Sequence, residues 1–181
     1  MAEVLHAHRG WGWKRCREEA LALISEVRLP EPRRMYASFP HQLSGGQCQR
    51  IALAQALACR PALVIADEPT ASLDLAVQLE ILTLLKDLNQ RSGISFLLIT
   101  HQPSVVSSIA HRMLVMYAGQ IVEDGSAGDV FRQPLHPYTQ GLLQLCCSAA
   151  VESTSTAAKR LACIPGEPPD LRSAMTGCRF L

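Results

Sequence analysis

The sequence lacks several features that would assign it to a broad class at once. Its 181 residues contain no apolar run of the roughly 18–20 residues that a membrane-spanning helix requires. The seven cysteines form no CxxC pair, and their odd number argues against a complete disulfide framework. We therefore expect a protein of a reducing cytoplasm that does not itself span a membrane.

The net charge of the chain is also small. The 17 Lys and Arg residues are almost balanced by 16 Asp and Glu, so the net charge is +1. This balance removes the overall excess of Lys and Arg that is expected of a dedicated nucleic-acid binder. Only three basic residues are lysines, Lys14, Lys86 and Lys159, and none of them follows a glycine. A phosphate-binding P-loop requires Gly-Lys-Ser/Thr, so the sequence contains no P-loop.

Hydrophobic residues make up 48% of the chain, which is enough for a core. Their spacing predicts an α/β protein in which helices alternate with short strands. The strands at 62–66 and 94–100 lack polar alternation, which predicts burial on both faces. The segment 33–43 is predicted to be a loop, and 148–160 a linker. Helices are predicted over residues 15–28, 47–58, 75–91, 103–110, 127–132 and 135–145, and a hairpin over 113–117 and 120–123.

A Ser-Gly-Gly-Gln sequence opens the helix at 47–58. Gly45 and Gly46 allow the backbone to approach an anion closely. Ser44 and the free amides of the first helical turn, which includes Gln47, can donate hydrogen bonds to phosphate oxygens, aided by the helix dipole. An ordinary helix N-cap followed by flexible glycines explains Ser44 equally well.

Charged and polar side chains follow both apolar strands, where open α/β sheets bind their ligands. Asp67 can hold Mg²⁺, Glu68 can orient or deprotonate a water, and His101 can contact a γ-phosphate. A simple acidic cap and a structural histidine are the alternatives for these residues. Asp74 is expected to cap the helix at 75–91, which is compatible with a further role.

Together these motifs resemble the ATP-binding subunit of ATP-binding cassette (ABC) transporters. Residues 43–47 resemble the signature loop of that family, and residues 63–68 its Walker B strand. Ser72, Leu73 and Asp74 are similar to the D-loop, and His101 to the switch histidine. Residues 136–143 and 164–171 resemble the C-terminal extension of subunits that drive dipeptide and oligopeptide importers, a branch that includes nickel and glutathione uptake systems.

The resemblance implies an α/β fold like that of P-loop NTPases, with a parallel sheet and flanking helices. Residues 1–60 then form a partial helical subdomain with the signature helix. Residues 61–133 form the C-terminal part of the ATPase core, and residues 134–181 the extension. The implied cofactors are ATP and Mg²⁺. Glu68 and His101 are implied to be catalytic and Asp67 to bind metal, and the implied nucleotide contacts are Ser44, Gly45, Gly46, Gln47 and Asp74.

The resemblance also implies partners and a location. The partners are a second ATPase subunit in a head-to-tail dimer, transmembrane permease subunits and, indirectly, a solute-binding protein, with no nucleic acid. The location is peripheral, on the cytoplasmic face of the inner (plasma) membrane. The family carries its P-loop upstream of the signature loop, so the sequence is expected to be the C-terminal portion of such a subunit and inactive alone.

Two other interpretations remain open. The chain can be a truncated, non-catalytic pseudo-subunit that only docks on an intact ATPase partner. It can also resemble DNA-repair or chromosome-maintenance ATPases, which share a similar signature loop and Walker B strand. The absence of sustained heptads and the segment 136–143 count against this last interpretation.

Overall fold

The structure is a computed structural model that describes residues 1–71, 73–151, 164, 169–170, 172 and 177–180. Ser72, the predicted linker beyond residue 151 and most of the segment 164–171 lie outside the described residues. The chain divides into two compact units, Met1–His101 and Gln102–Leu181. The three segments predicted from the sequence follow motif content instead, and they remain a prediction. No helix in the described ranges combines the length and apolar character that crossing a bilayer requires.

Within its described residues, the first unit consists of five α-helices, a short 3-10 turn and two strands. Its strands are β1 (Leu63–Asp67) and β2 (Ser95–Ile99). Its helices are α1 (Ala2–Arg9), α2 (Trp13–Glu26), α3 (Pro32–Ala37), α4 (Gly45–Leu57) and α5 (Leu75–Ser92), with the 3-10 turn at Pro40–Gln42. The predicted helices at 15–28, 47–58 and 75–91 are confirmed by α2, α4 and α5.

The predicted loop at 33–43 is wrong, because α3 and the 3-10 turn occupy most of it. Pro32 is the first residue of α3, where its fixed φ suits a helix and its missing N–H is no loss. Met35 is buried in the core at 6% exposure. A single buried side chain in six residues gives no helical periodicity, so the pattern did not reveal this helix.

The core of the first unit lies between α2, α4 and α5. The apolar residues that recur at helical spacing over 20–27 are mostly buried, with Ala20 and Val27 at 0% exposure and Ile24 at 1%, whereas Leu21 is half-buried. Val64 of β1 joins this core together with Leu84 and Leu88 of α5. The sheet therefore packs against these helices through one face.

The prediction that both strands are buried on both faces is wrong. Leu63 and Ile65 of β1 are 52% and 63% exposed, and Leu97 and Ile99 of β2 are 41% and 48% exposed. Successive side chains of a strand point to opposite faces of the sheet, and in the described part of the chain the core covers only the Val64 face. The two strands pair in parallel, as predicted, with Asp67 opposite Ile99.

The described residues of the second unit form an antiparallel hairpin and three helices. The hairpin pairs β3 (Arg112–Tyr117) with β4 (Gln120–Ser126), which confirms its prediction. Ala118 and Gly119 form its turn with φ of +49° and +79°, the left-handed pair that two-residue hairpins favour. The helices are α6 (Pro103–Ile109), α7 (Ala127–Arg132) and α8 (Pro137–Val151), as predicted apart from their ends.

Candidate functional site

The parallel pairing of β1 and β2 brings the polar strand ends to one edge of the sheet. Asp67 is the last residue of β1 and lies opposite Ile99, the last residue of β2. The Glu68 N–H donates to the Ile99 carbonyl oxygen at 2.9 Å, which extends the pairing by one residue. Asp67 and His101 therefore lie at the ends of neighbouring strands, at the same edge of the sheet, as the sequence predicted.

His101 holds the carboxylate of Glu68 through two hydrogen bonds. Glu68 Oε1 accepts from the His101 backbone N–H at 3.0 Å and lies 2.6 Å from His101 Nδ1. A carboxylate can only accept here, so Nδ1 carries the proton. In the neutral ring Nε2 is then an acceptor, and only the protonated ring donates from both nitrogens.

The environment of Glu68 favours its ionised form. The hydrogen bond from the His101 side chain lowers the pKa of Glu68 most. The His101 backbone N–H, the charge of the His101 ring and the Thr100 hydroxyl lower this pKa further, while desolvation raises it by less than the first hydrogen bond lowers it. Oε1 is occupied by His101, whereas the contact that Oε2 makes among the described residues is a long one, 3.5 Å from Thr100 Oγ1. Oε2 is therefore the oxygen that can accept a proton from a water.

Asp67 is exposed at the end of β1 and can supply one oxygen ligand to a cation. Among the described residues, no group of three or more metal-ligating side chains occurs. Mg²⁺ commonly takes one or two carboxylates and completes its shell with phosphate oxygens and water. The single carboxylate therefore fits a Mg²⁺ that arrives with a nucleotide, and does not fit a metal held by the protein alone.

Ser44 begins α4 with a capping box. Its Oγ accepts the Gln47 N–H at 3.3 Å, and Gln47 Oε1 accepts the Ser44 N–H at 2.9 Å. The cap leaves the Ser44 hydroxyl proton free to donate elsewhere, and the first amides of a helix have no partner within it. The cap interpretation is thus correct and also leaves donors that fit a phosphate group.

The glycines of this turn lie against the start of α5. A Cβ on Gly46 would be 2.6 Å from Val77 Cγ1, and a Cβ on Gly45 would be 3.4 Å from Leu73 Cδ2. Asp74 caps the same helix by accepting the Val77 N–H at 3.0 Å. The turn at residues 44–47, called the signature turn below, therefore packs against Leu73 and the start of α5, and only glycine fits at position 46.

We expect Gly46→Ala to destabilise the first unit by about 1–3 kcal/mol, the usual penalty for overpacking a fixed contact. The added methyl group would overlap Val77 Cγ1, and valine in a helix has one strongly preferred rotamer, so rotating it away carries a penalty. Urea unfolding followed by circular dichroism measures the change in the free energy of unfolding.

Two further variants separate this clash from a change in helix propensity. Val77→Ala removes the overlapping methyl group, so the double variant should recover most of the loss caused by Gly46→Ala. Gly128→Ala is the control, because a Cβ there meets nothing within 4 Å. Equal losses in the single and double variants would show that the Gly46–Val77 contact does not limit this position.

Arg50 is an important residue of this region that the sequence analysis did not assign. It is buried at 8% exposure on α4, where Nη1 donates to the Val27 carbonyl oxygen at 3.1 Å and Nη2 to Glu80 Oε2 at 2.6 Å. It therefore ties α4 to the end of α2 and to α5. Its position four residues before buried Ala54 places it on the apolar stripe of α4, and that spacing could have revealed it.

The structure thus forms two clusters from the residues singled out in the sequence. Asp67, Glu68 and His101 meet at the strand ends. The turn at 44–47 meets the start of α5 beside Asp74, while Ser72 lies outside the described residues. Thr100 joins the first cluster and Val77 the second, and neither contact was predicted from the sequence.

Three family models match parts of the chain. One described as "ABC transporter" matches residues 3–71. Another, "Oligopeptide/dipeptide transporter, C-terminal region", matches residues 122–181. The third, "AAA domain, putative AbiEii toxin, Type IV TA system", matches residues 39–107. The first two cover the signature turn and the segment 136–143, respectively.

Similar proteins extend over almost the whole chain. The oligopeptide transport ATP-binding protein OppD of Salmonella typhimurium is 43% identical over 99% of this chain and 52% of its own length. The dipeptide transport ATP-binding protein DppD of Escherichia coli is 42% identical over 97% of this chain and 52% of its own length. The chain thus spans about half the length of these relatives.

Solved structures agree with this similarity. The dimeric bacterial ABC transporter cassette MJ0796 is 33% identical, with a TM-score of 0.56, and matches 65% of this chain and 49% of its own. A post-hydrolysis state of MJ0796 bound to ADP and Pi has a TM-score of 0.59 at 33% identity, and matches 68% of this chain and 53% of its own. The cassette likeness is therefore one of fold as well as sequence.

Proposed function

Because this chain belongs to the ABC transporter family and has the C-terminal region of oligopeptide and dipeptide transporters, we propose that it forms part of the ATP-hydrolysing subunit of a peptide importer. In this proposal it carries the hydrolytic carboxylate and the signature turn, and another polypeptide segment supplies the P-loop. The contact between Glu68 and His101 at the strand ends is the observation that carries the proposal.

Glu68 is proposed to act as the general base. Its pKa is lowered, so it is ionised at neutral pH, and Oε2 is the oxygen that remains open to a water. His101 fixes the carboxylate through Oε1, and its Nε2 is then free to donate to a γ-phosphate only when the ring is protonated. When bound, ATP supplies the phosphoryl group and Mg²⁺ neutralises its charge.

The signature turn is proposed to face the nucleotide of a second ATPase subunit. Ser44 and the first amides of α4 offer hydrogen-bond donors to an anion, while Gly45 and Gly46 allow this turn to pack closely against Leu73 and Val77. MJ0796, whose cassette this chain resembles, is a dimer. We propose a head-to-tail dimer for this subunit too, in which each signature turn completes the site of the partner.

The C-terminal region supports the choice of solute and location. Residues 122–181 match the oligopeptide and dipeptide transporter model, and relatives named for oligopeptide or dipeptide transport align over nearly the whole chain. We propose that the subunit binds permease subunits at the cytoplasmic face of the inner membrane, and that a solute-binding protein delivers a peptide or related solute to them.

A pseudo-subunit that only docks on an intact ATPase is the second candidate. The observation that favours it is the absence of Gly-Lys-Ser/Thr from the sequence, since a site without the P-loop lysine lacks its main contact to the β- and γ-phosphates. In that case Glu68 and His101 would have no nucleotide of their own to act on.

Reconstituted ATP turnover distinguishes the two candidates. We expect no hydrolysis by the purified chain alone. When it is co-expressed with the segment of S. typhimurium OppD that precedes the matched region, we expect an assembly that hydrolyses ATP. Such a segment is also expected to cover the exposed apolar side chains of β1 and β2. An assembly that forms and binds ATP without turnover would favour the pseudo-subunit, and Glu68-dependent turnover by the chain alone would refute the need for a second segment.

A further inference from the structure

A basic and aromatic corner connects α1 to α2, in residues 6–15. This α1–α2 corner contains both tryptophans of the chain, Trp11 and Trp13. No acidic residue lies between Glu3 and Glu18, whereas the same stretch contains four cations, Arg9, Lys14, Arg15 and Arg17. In a chain whose total net charge is +1, this is an unusual local concentration of positive charge.

The corner is held in a defined shape. Leu5 and Cys16, on either side of it, are both at 0% exposure and anchor it to the core. Gly10 ends α1 with φ of +65°, a left-handed conformation that suits glycine. The Trp11 carbonyl oxygen accepts from His6 Nδ1 at 2.6 Å and from Cys16 Sγ at 3.4 Å. The exposed side chains therefore project from a fixed platform.

Its aromatic rings and cations are stacked and exposed together. The Arg15 guanidinium lies 3.9 Å from the centre of the Trp11 ring, and His6 stacks on Trp13 at 4.4 Å. Trp13 remains 58% exposed, and the side chains of Arg9, Lys14 and Arg15 are also exposed. Tryptophan beside Lys and Arg is the combination favoured at the boundary between water and a bilayer, where the ring enters the headgroup layer.

We propose that the α1–α2 corner binds a membrane surface that contains anionic phospholipids. Charge complementarity supports this partner, because Arg9, Lys14, Arg15 and Arg17 are exposed and the acidic residues nearest in sequence, Glu3 and Glu18, lie outside the corner. Trp13 supplies an apolar and amphipathic contact that cations alone lack. Nucleic acid fits less well, because arginines beyond the corner are paired with acidic side chains, Arg28 with Asp87, Arg34 with Glu31 and Arg60 with Glu19, which offsets their charge toward a phosphate backbone. The inference does not depend on ATP hydrolysis.

Intrinsic fluorescence tests this inference directly, because both tryptophans of the chain lie in the corner. The full chain is titrated with vesicles of phosphatidylglycerol and phosphatidylcholine, and with phosphatidylcholine alone. We expect a blue shift and cosedimentation with the anionic vesicles that decline as salt is raised, and little of either with the neutral vesicles. No response to anionic vesicles at low salt would overturn the proposal.

Charge-reversal variants locate the binding surface. Lys14→Glu with Arg15→Glu should weaken partitioning onto anionic vesicles at least about 25-fold, since each cation near such a surface contributes about fivefold. Lys86→Glu with Arg91→Glu changes the net charge equally on α5, and should leave partitioning within about twofold. Equal weakening by both pairs would overturn the proposal.

Two additional measurements cover folding and nucleic acid. Far-UV circular dichroism checks that the variants are folded, and Trp13→Ser, which changes one exposed side chain, should also reduce cosedimentation with anionic vesicles. A single-stranded RNA oligonucleotide is titrated in parallel. Quenching of the tryptophan fluorescence reports RNA binding. If the chain binds RNA more tightly than anionic vesicles, and RNA displaces the vesicles, the corner is a nucleic-acid surface and the membrane proposal is wrong.

Discussion

Glu68→Gln is expected to lower ATP turnover by about 10²–10⁴-fold in the assembly reconstituted with the OppD segment, the range over which general bases contribute. The amide has almost the same shape as the carboxylate but cannot accept a proton from water. It can still accept hydrogen bonds from His101 through its oxygen. Nucleotide binding should therefore persist while hydrolysis is lost, and ATP should accumulate on the assembly.

Single-turnover assays with labelled ATP, combined with a binding measurement, test this separation of binding from hydrolysis. Glu18→Gln, the same chemical change on an exposed residue of α2, is the control and should leave turnover unchanged. His101→Ala should also reduce turnover, because it removes the 2.6 Å contact that orients Oε1. Full activity in Glu68→Gln would mean that another group deprotonates the water.

Arg50→Ala is expected to lower the free energy of unfolding of the first unit by about 2–4 kcal/mol, because the substitution leaves a carbonyl oxygen without its donor and opens a cavity. The Val27 carbonyl oxygen would lose its donor at the end of α2, and Glu80 on α5 its partner at 2.6 Å. Glu80 is largely exposed, so water can solvate it, and most of the loss should come from the buried side of the contact.

Urea unfolding of the chain measures this loss, and two variants identify its source. Arg50→Met keeps an aliphatic stem in the same space and should recover the part that is due to the cavity. Arg91→Ala removes an arginine that is 75% exposed and makes a 3.5 Å contact with Asp87, so its effect should stay within about 0.5 kcal/mol. A similarly small effect of Arg50→Ala would show that this buried contact does not stabilise the unit.

Helices and strands with a clear apolar period were predictable from the sequence. The helix at 75–91 has five apolar residues on one stripe and Gly93 beyond its end, and α5 ends at Gly93 with φ of +65°. The hairpin was predictable for the same reason, because Ala118-Gly119 separates two strand-like segments. By contrast, α3 is too short to show a period, and the exposed face of β1 is set by what covers the sheet and not by strand composition.

The candidate site divides along the same line. Residue type and position at the end of an element located Ser44 at a helix start and Asp67, Glu68 and His101 at strand ends, because capping chemistry is local and open α/β sheets align their parallel strand ends. The contacts between these groups follow from packing. Glu68 meets His101 across 33 residues and Arg50 meets Glu80 across 30. Such pairs depend on strand register and on the distance between helices. Neither property follows from the secondary-structure preference of any one segment.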